Sequence, residues 1–380
     1  MGISPVRTMK ILFTRFPLES RYGGAEVQTL SLMQGLLKRR HAVAFLGSCP
    51  TLLHICWDNG IPAAELFIGA PPVSKYHALS FVWRKKKMQQ KLETALDELH
   101  DIDAIVMLSL SEKILLTPLA LKRGIRVIWL EHDGIGRWLT KNPWLPQLKE
   151  MAKSVTTVVV SDLSRDLYID LGWPADRVES IPNGIDLERL QESLPTDEVH
   201  DLTERSGDTL HVGCIARLTK DKGIDLLIEA VIDLPQVTLT VVGSGREENF
   251  LRKLVEGNGL TDRVRIIPSV SPIGPFYRSL DAFILPSRTH DPFGLAAAEA
   301  MTLGIPTIMT DICGIARFLE AGKDAIVVRP DSSGALHEAL RALLQRDKRA
   351  AIAHSGKCTA REKFSLEKMV DAYEEILVKN

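Results

Sequence analysis

The sequence predicts an α/β protein of two Rossmann-like parallel-sheet domains facing each other across a cleft. Three observations carry that expectation. Short β-rich runs alternate with helical patterns from end to end; the runs are apolar throughout; and the rhythm stops at a polar stretch and then starts again. Continuous apolar runs are what a sheet buried on both faces requires. Alternating β and α elements imply a parallel, doubly wound sheet. A chain of 380 residues also suits two cores better than one.

In the first half, Met9–Thr14 reads as a strand, Ala25–Leu37 as a helix and Ala42–Leu46 as a strand; Ala104–Leu108, Arg126–Leu130 and Thr156–Val160 read as further strands. From Asp186 to Asp208 the chain is charged, carries Pro195 and Gly207, and shows no apolar stripe, which marks a linker. Beyond it, His211–Ile215, Thr238–Val242, Val264–Ile267, Ala282–Leu285, Thr307–Met309 and Ala325–Val328 read as strands of a second sheet, and Ser365–Val378 as an amphipathic helix. The expected division is a first domain over 1–187, a linker over 188–208, a second domain over 209–356, and a helical segment over 357–380 returning to the first domain.

Composition narrows the class. The formal net charge is −1, so no global basic field gathers nucleic acid, and no nucleic-acid partner is expected. Five scattered cysteines include no pair with zinc-ligand spacing, which fits reduced thiols in a cytoplasmic protein; Cys214 and Cys313 lie in or beside apolar runs and read as buried. The N-terminus lacks the apolar core of a signal peptide. The longest apolar stretch, Ala104–Leu121, is broken by Glu112 and Lys113 and cannot span a bilayer.

In open α/β sheets ligands bind beyond the carboxyl ends of the strands, so the loops there are the candidates. Tyr22-Gly23-Gly24-Ala25-Glu26 opens a helix, where small residues and free amides favour an anion. Arg217 and Lys222 follow the first strand of the second half, equipment for gripping a diphosphate. Gly243-Ser244-Gly245 follows the next strand, but Glu248 stands where a dinucleotide fingerprint needs its third glycine; the turn reads as passing close to a ligand, and against an NAD site. Asp291 and Glu299 bracket Pro292-Phe293-Gly294-Leu295 at a helix start, where amides can meet phosphate and the acids can accept sugar hydroxyls. Acids in such places also gain about 0.3–1 kcal/mol from the helix dipole without any function.

The run Asp291-Pro292-Phe293-Gly294-Leu295-Ala296-Ala297-Ala298-Glu299-Ala300-Met301 resembles the hallmark of the family-4 retaining glycosyltransferases, two acids separated by seven residues. Gly23-Gly24-Ala25-Glu26, Ile181-Pro182-Asn183-Gly184-Ile185-Asp186 and Arg217 through Gly223 are similar to that family's other motifs in the same order. The resemblance implies the GT-B architecture and transfer of a hexosyl unit from a UDP- or GDP-type sugar to a lipid, glycan or small-molecule acceptor, with retention of configuration. It implies that Arg217 and Lys222 neutralise the leaving diphosphate, that Gly23, Gly24, Gly294 and Leu295 contact phosphates or the donor sugar, and that Glu299 holds the ribose hydroxyls. Asp291 would sit beside the donor sugar, and His132 matches a histidine near the reacting sugar. The family's first acid is usually glutamate, so Asp291 departs from it by one methylene, and donor specificity does not transfer.

Arg217, Lys222 and the helix-start amides supply the charge that opposes the developing negative phosphate, so neither metal nor other cofactor is expected. Two other readings stand beside this one: a catalytically silent nucleotide-sugar-binding protein, and another enzyme of the same architecture such as an epimerase. Trp83-Arg84-Lys85-Lys86-Lys87 sets four cations beside an aromatic ring, a pattern that suits peripheral contact with the inner face of a membrane or a solvated charge run.

Overall fold

The computed structural model describes residues 8–17, 23–191 and 209–378. Tyr22 and all but the first few residues of the expected linker lie outside them. The chain divides into two compact units, residues 1–184 with 366–380, and residues 185–365. No helix among the described residues is long and apolar enough to cross a membrane.

The first unit is built on a seven-stranded sheet of β1 (Lys10–Arg15), β2 (Ala42–Gly47), β3 (Ala63–Glu65), β4 (Ala104–Met107), β5 (Arg126–Glu131), β6 (Thr156–Val159) and β7 (Val178–Ser180), in the order β3-β2-β1-β4-β5-β6-β7. All pairings are parallel. Successive side chains of β1 serve opposite faces. Ile11 and Phe13 pack with Leu32, Met33 and Leu36 of the helix Gly24–Lys38, while Leu12 packs with Phe81 and Leu92 of the helix Lys75–Glu98. Burial on both faces is the reason the strand sequence is apolar without alternation.

The last helix, Leu366–Val378, adds Met369, Val370, Tyr373 and Leu377 to the core of this unit. Its approach to the helix Gly24–Lys38 depends on Gly35, where a Cβ would stand 2.3 Å from Val370.

The second unit carries β8 (Leu210–Ile215), β9 (Val237–Val242), β10 (Val264–Ile267), β11 (Ala282–Leu285), β12 (Thr307–Thr310) and β13 (Ile326–Val328), in the order β10-β9-β8-β11-β12-β13, again wholly parallel. The boundary expected at 356/357 falls inside one helix, Arg346–Lys363, which buries Ile352, Gly356 and Ala360 within this unit. The short helix Leu187–Gln191, placed at the end of the first domain and the start of the linker by the sequence, belongs to the second unit as well.

Strand order reverses between β1 and β4 in one sheet and between β8 and β11 in the other. Loops diverge at such a switch point, opening a crevice at the carboxyl edge.

Candidate functional site

In the second unit the crevice lies beyond β8 and β11. After β8 the chain runs through exposed Arg217 to a single 3₁₀ turn, Lys220–Lys222, and then into the helix Ile224–Ala230. After β11 it runs through Ser287 and Asp291 into the helix Leu295–Leu303. The two loops meet: Lys222 Nζ donates to Asp291 Oδ2 at 2.6 Å, and Ser287 Oγ reaches the same oxygen at 3.2 Å. Both charged side chains are largely buried. A neighbouring cation and carboxylate at this distance hold one another against desolvation.

Backbone pairing fixes Asp291. Its N–H donates to the Ile312 carbonyl at 3.1 Å, and its carbonyl accepts from Gly314 at 2.8 Å. Gly294 caps the helix with φ +98°, a left-handed conformation that glycine adopts without strain. Ala297 and Ala298 N–H donate back to the Gly294 carbonyl at 3.0 and 3.2 Å, so the amides at the helix start without an intrahelical acceptor are those of Leu295 and Ala296.

Two residues expected to contact the donor have structural roles in the loops. Phe293 is only 2% exposed and packs edge-on against Phe364 at 5.4 Å, so its ring anchors the loop from the core side. Gly243, at φ +151°, lies where a Cβ would stand 2.0 Å from the Ala216 carbonyl oxygen. The glycine turn after β9 therefore braces the backbone of the Arg217 loop, and Leu218 N–H completes the brace by donating to Ser244 O at 2.9 Å.

Glu299 lies just over one turn inside its helix, 7% exposed. Tyr277 and Arg189, neither foreseen from the sequence, both reach its carboxylate. No pattern of spacing announces them, since each comes from a different element.

In the first unit the crevice lies beyond β1, β4 and β5. Gly23 caps the helix Gly24–Lys38 in extended conformation, and its carbonyl accepts from Val27. Beneath it Arg15 pairs with Glu26 at 2.8 Å. Burial raises the Glu26 carboxyl above its ordinary range, with Arg15 opposing the rise. His132 follows β5, and its Nε2 is buried without a hydrogen-bond partner among the described residues. Burial, reinforced by Arg15 and Lys113, holds its pKa down to about 3. The imidazole is therefore neutral near pH 7.

A cavity of about 370 Å³ opens beside these groups, lined by Arg15, Lys113, Glu131, Trp129, Trp138 and Trp173 among others. Lys113 and Glu131 form a buried pair at 2.8 Å, and Lys113 also donates to Leu130 O.

The four-cation run divides. Arg84 folds back to the carbonyls of Ala70 and His77, and Lys85 sits 5.1 Å over the Trp144 ring. Lys86 and Lys87 alone of the four are exposed.

The sequence profile described as Glycosyltransferase Family 4 matches residues 22–189, and that described as Glycosyl transferases group 1 matches 197–357. The lipopolysaccharide core biosynthesis mannosyltransferase LpsB of Rhizobium meliloti is 28% identical over 199 residues, covering 49% of this chain and 56% of that protein. A GDP-mannose-dependent alpha-(1-6)-phosphatidylinositol monomannoside mannosyltransferase of Mycobacterium tuberculosis is 27% identical over 277 residues, 68% of this chain and 71% of that one. The match to the first of these relatives thus spans little more than half its length. Among solved structures, Anabaena HepE in complex with UDP superposes with a TM-score of 0.81 at 21% identity, over 97% of this chain and 99% of that one. WaaG, a glycosyltransferase involved in lipopolysaccharide biosynthesis, gives 0.71 at 18% identity, over 97% and 100%. Such likeness shows the fold, the two-sheet GT-B architecture.

The state of His132 is open to measurement. Its folded pKa lies below the unfolded value near 6.5, so the unfolded chain takes up a proton first as pH falls. The stability it contributes is complete above about pH 6.5 and is lost as pH falls toward 3. The His132 ring resonances are expected to stay at their neutral positions from pH 8 to 5. The urea midpoint of His132→Asn should fall less between pH 7 and 5 than that of the wild type. An imidazole titrating near 6.5 in the folded protein would contradict this.

Proposed function

The chain belongs to glycosyltransferase family 4, and from that premise we propose that it is a retaining, nucleotide-sugar-dependent hexosyltransferase. The observation that carries the reading is the meeting of Lys222 and Asp291 at the β8/β11 switch point, with Arg217 on the same loop as Lys222 and the helix Leu295–Leu303 following Asp291. Cations and helix-start amides converge where a leaving diphosphate gathers charge, and fixed donors of that kind supply much of the catalysis in group transfer.

In this reading the bond between the anomeric carbon and the β-phosphate oxygen breaks, and an acceptor hydroxyl bonds to the same face of the sugar. Its proton passes to the departing phosphate. Arg217 and Lys222 stabilise that phosphate, Asp291 lies beside the sugar, and Glu299 accepts the ribose hydroxyls. Neutral His132 is suited to hydrogen bonding near the reacting sugar, since a charged ring there would oppose positive charge at the anomeric carbon. The cations already present supply the charge, so the reading requires no metal ion.

For the acceptor, we propose the cavity of the first unit. The half-buried Trp138 ring and the Lys113–Glu131 pair offer stacking surface and hydrogen bonds, the equipment for a glycan or the sugar headgroup of a glycolipid. The named relatives are a mannosyltransferase of lipopolysaccharide core biosynthesis and a phosphatidylinositol monomannoside mannosyltransferase, which supports an acceptor of this class.

Assay of donor turnover with UDP- and GDP-sugars tests the reading. Arg217→Ala and Lys222→Ala should each lower turnover about 10²–10³-fold, the scale seen when one preorganised donor is lost. A folded Arg217→Ala protein with wild-type turnover would refute the assignment, as would a wild type that turns over no nucleotide sugar.

We further propose that the helix Lys75–Glu98 rests on an anionic lipid surface at the inner face of the membrane. Tyr76, Leu79 and Trp83 are 77%, 61% and 81% exposed at a spacing that places them on one face, and Lys86 and Lys87 lie beside them. Co-sedimentation with phosphatidylglycerol vesicles should be strong at low salt and lost at high salt, and Trp83→Ala with Lys86→Glu should abolish it. Equal recovery with phosphatidylcholine vesicles, or none at low salt, would contradict this.

A further inference from the structure

Both oxygens of Glu299 already accept a bond inside the second unit. Tyr277, fully buried, gives its hydroxyl to Oε2 at 2.7 Å, and that hydroxyl also lies 3.2 Å from the Ala296 carbonyl oxygen of the same helix. Arg189 gives a guanidinium N–H to Oε1. A single short helix, Ile273–Arg278, governs both contacts. It carries Tyr277, and its Arg278 donates to the Leu190 carbonyl at 3.0 Å, holding the segment from which Arg189 projects. Gly274 permits that approach, because a Cβ there would stand 2.1 Å from the Leu190 oxygen. Arg189 Nε is itself buried without a partner among the described residues. The guanidinium is thus placed for Glu299 at the expense of its own full satisfaction.

An ionised carboxylate has about four acceptor directions, and here one on each oxygen is taken. The two that remain belong to a group whose plane is clamped from both sides. Such a cluster is an inefficient way to stabilise a fold, since apolar packing commonly does as well as a buried ion pair. It is an efficient way to present two fixed acceptors to a pair of adjacent hydroxyls.

We propose that Tyr277 and Arg189 are positioning residues that orient Glu299 toward the 2′ and 3′ hydroxyls of a ribose, and so make the site select ribonucleotides over 2′-deoxyribonucleotides. The inference rests on the nucleotide-sugar reading above. Its chemistry is that of a site built to meet a hydroxyl, which rejects an analogue lacking it because the buried acceptor is left unpaired.

Calorimetry on the intact protein with UDP, GDP and their 2′-deoxy analogues tests it, using whichever base binds more tightly. The wild type is expected to prefer the ribonucleotide by about tenfold or more, the scale of a hydrogen bond to a charged group. Tyr277→Phe and Arg189→Met should each bring that ratio toward one and raise donor KM by a larger factor than they lower kcat. Arg189→Lys, which keeps the charge and loses the planar fork, should restore part of the ratio. A wild-type ratio near one would overturn the inference alone. So would an unchanged ratio in both folded variants, or tighter nucleotide binding by Arg189→Met, which would mean that the guanidinium occupies the place of the ribose. Failure of the wild type to bind any nucleoside diphosphate would overturn the underlying reading, and this inference with it.

Discussion

Parallel pairing governs this chain. Every strand in both sheets runs beside its neighbours in the same direction, so each must be followed by a crossover before the next can begin. The crossovers cover both faces with helices, which is why Ile11 and Phe13 turn to one core and Leu12 to another. With the faces sealed, the edges where strands end are left to present polar side chains. At the carboxyl edge of the second sheet the reversal between β8 and β11 parts two loops, and Lys222 and Asp291 meet across the parting.

Polar groups in these crevices are costly to bury, and the structure offsets that cost locally. Lys222 is matched by Asp291, Arg15 by Glu26 and Lys113 by Glu131, each within 2.6–2.8 Å. The exceptions carry more information than the pairs. Among the described residues His132 keeps an unpartnered ring nitrogen and Arg189 an unpartnered Nε, as do several other buried polar atoms such as Thr14 Oγ1, Gln28 Oε1 and Thr157 Oγ1. Buried polar atoms are rarely left so unless a ligand or water completes them.

Much of the architecture was legible because burial on both faces writes long apolar runs into the chain. Val264–Ile267 and Ala282–Leu285 were read to the residue. The edge strands of the first sheet were not: β3 and β7 are three residues each and lie outside the long apolar runs, and β3 is largely exposed. Loop residues with a motif, such as Asp291, Glu299, Arg217 and Lys222, could be singled out by position after a strand. Their partners could not. Tyr277 and Arg189 sit in two short helices far apart in the chain, and only the fold brings them to Glu299. Phe293 and Gly243 show the opposite limit, since residues inside a ligand-like motif serve the packing of the loop itself.

The central claim is that a nucleoside diphosphate occupies the crevice beyond β8 and β11. Hydrogen–deuterium exchange on the intact protein, with and without saturating UDP or GDP, tests it most directly. The account predicts slowed exchange over residues 216–224 and 291–299, the two loops that meet through Lys222 and Asp291. Protection confined to other segments, or none with either nucleotide, would contradict it.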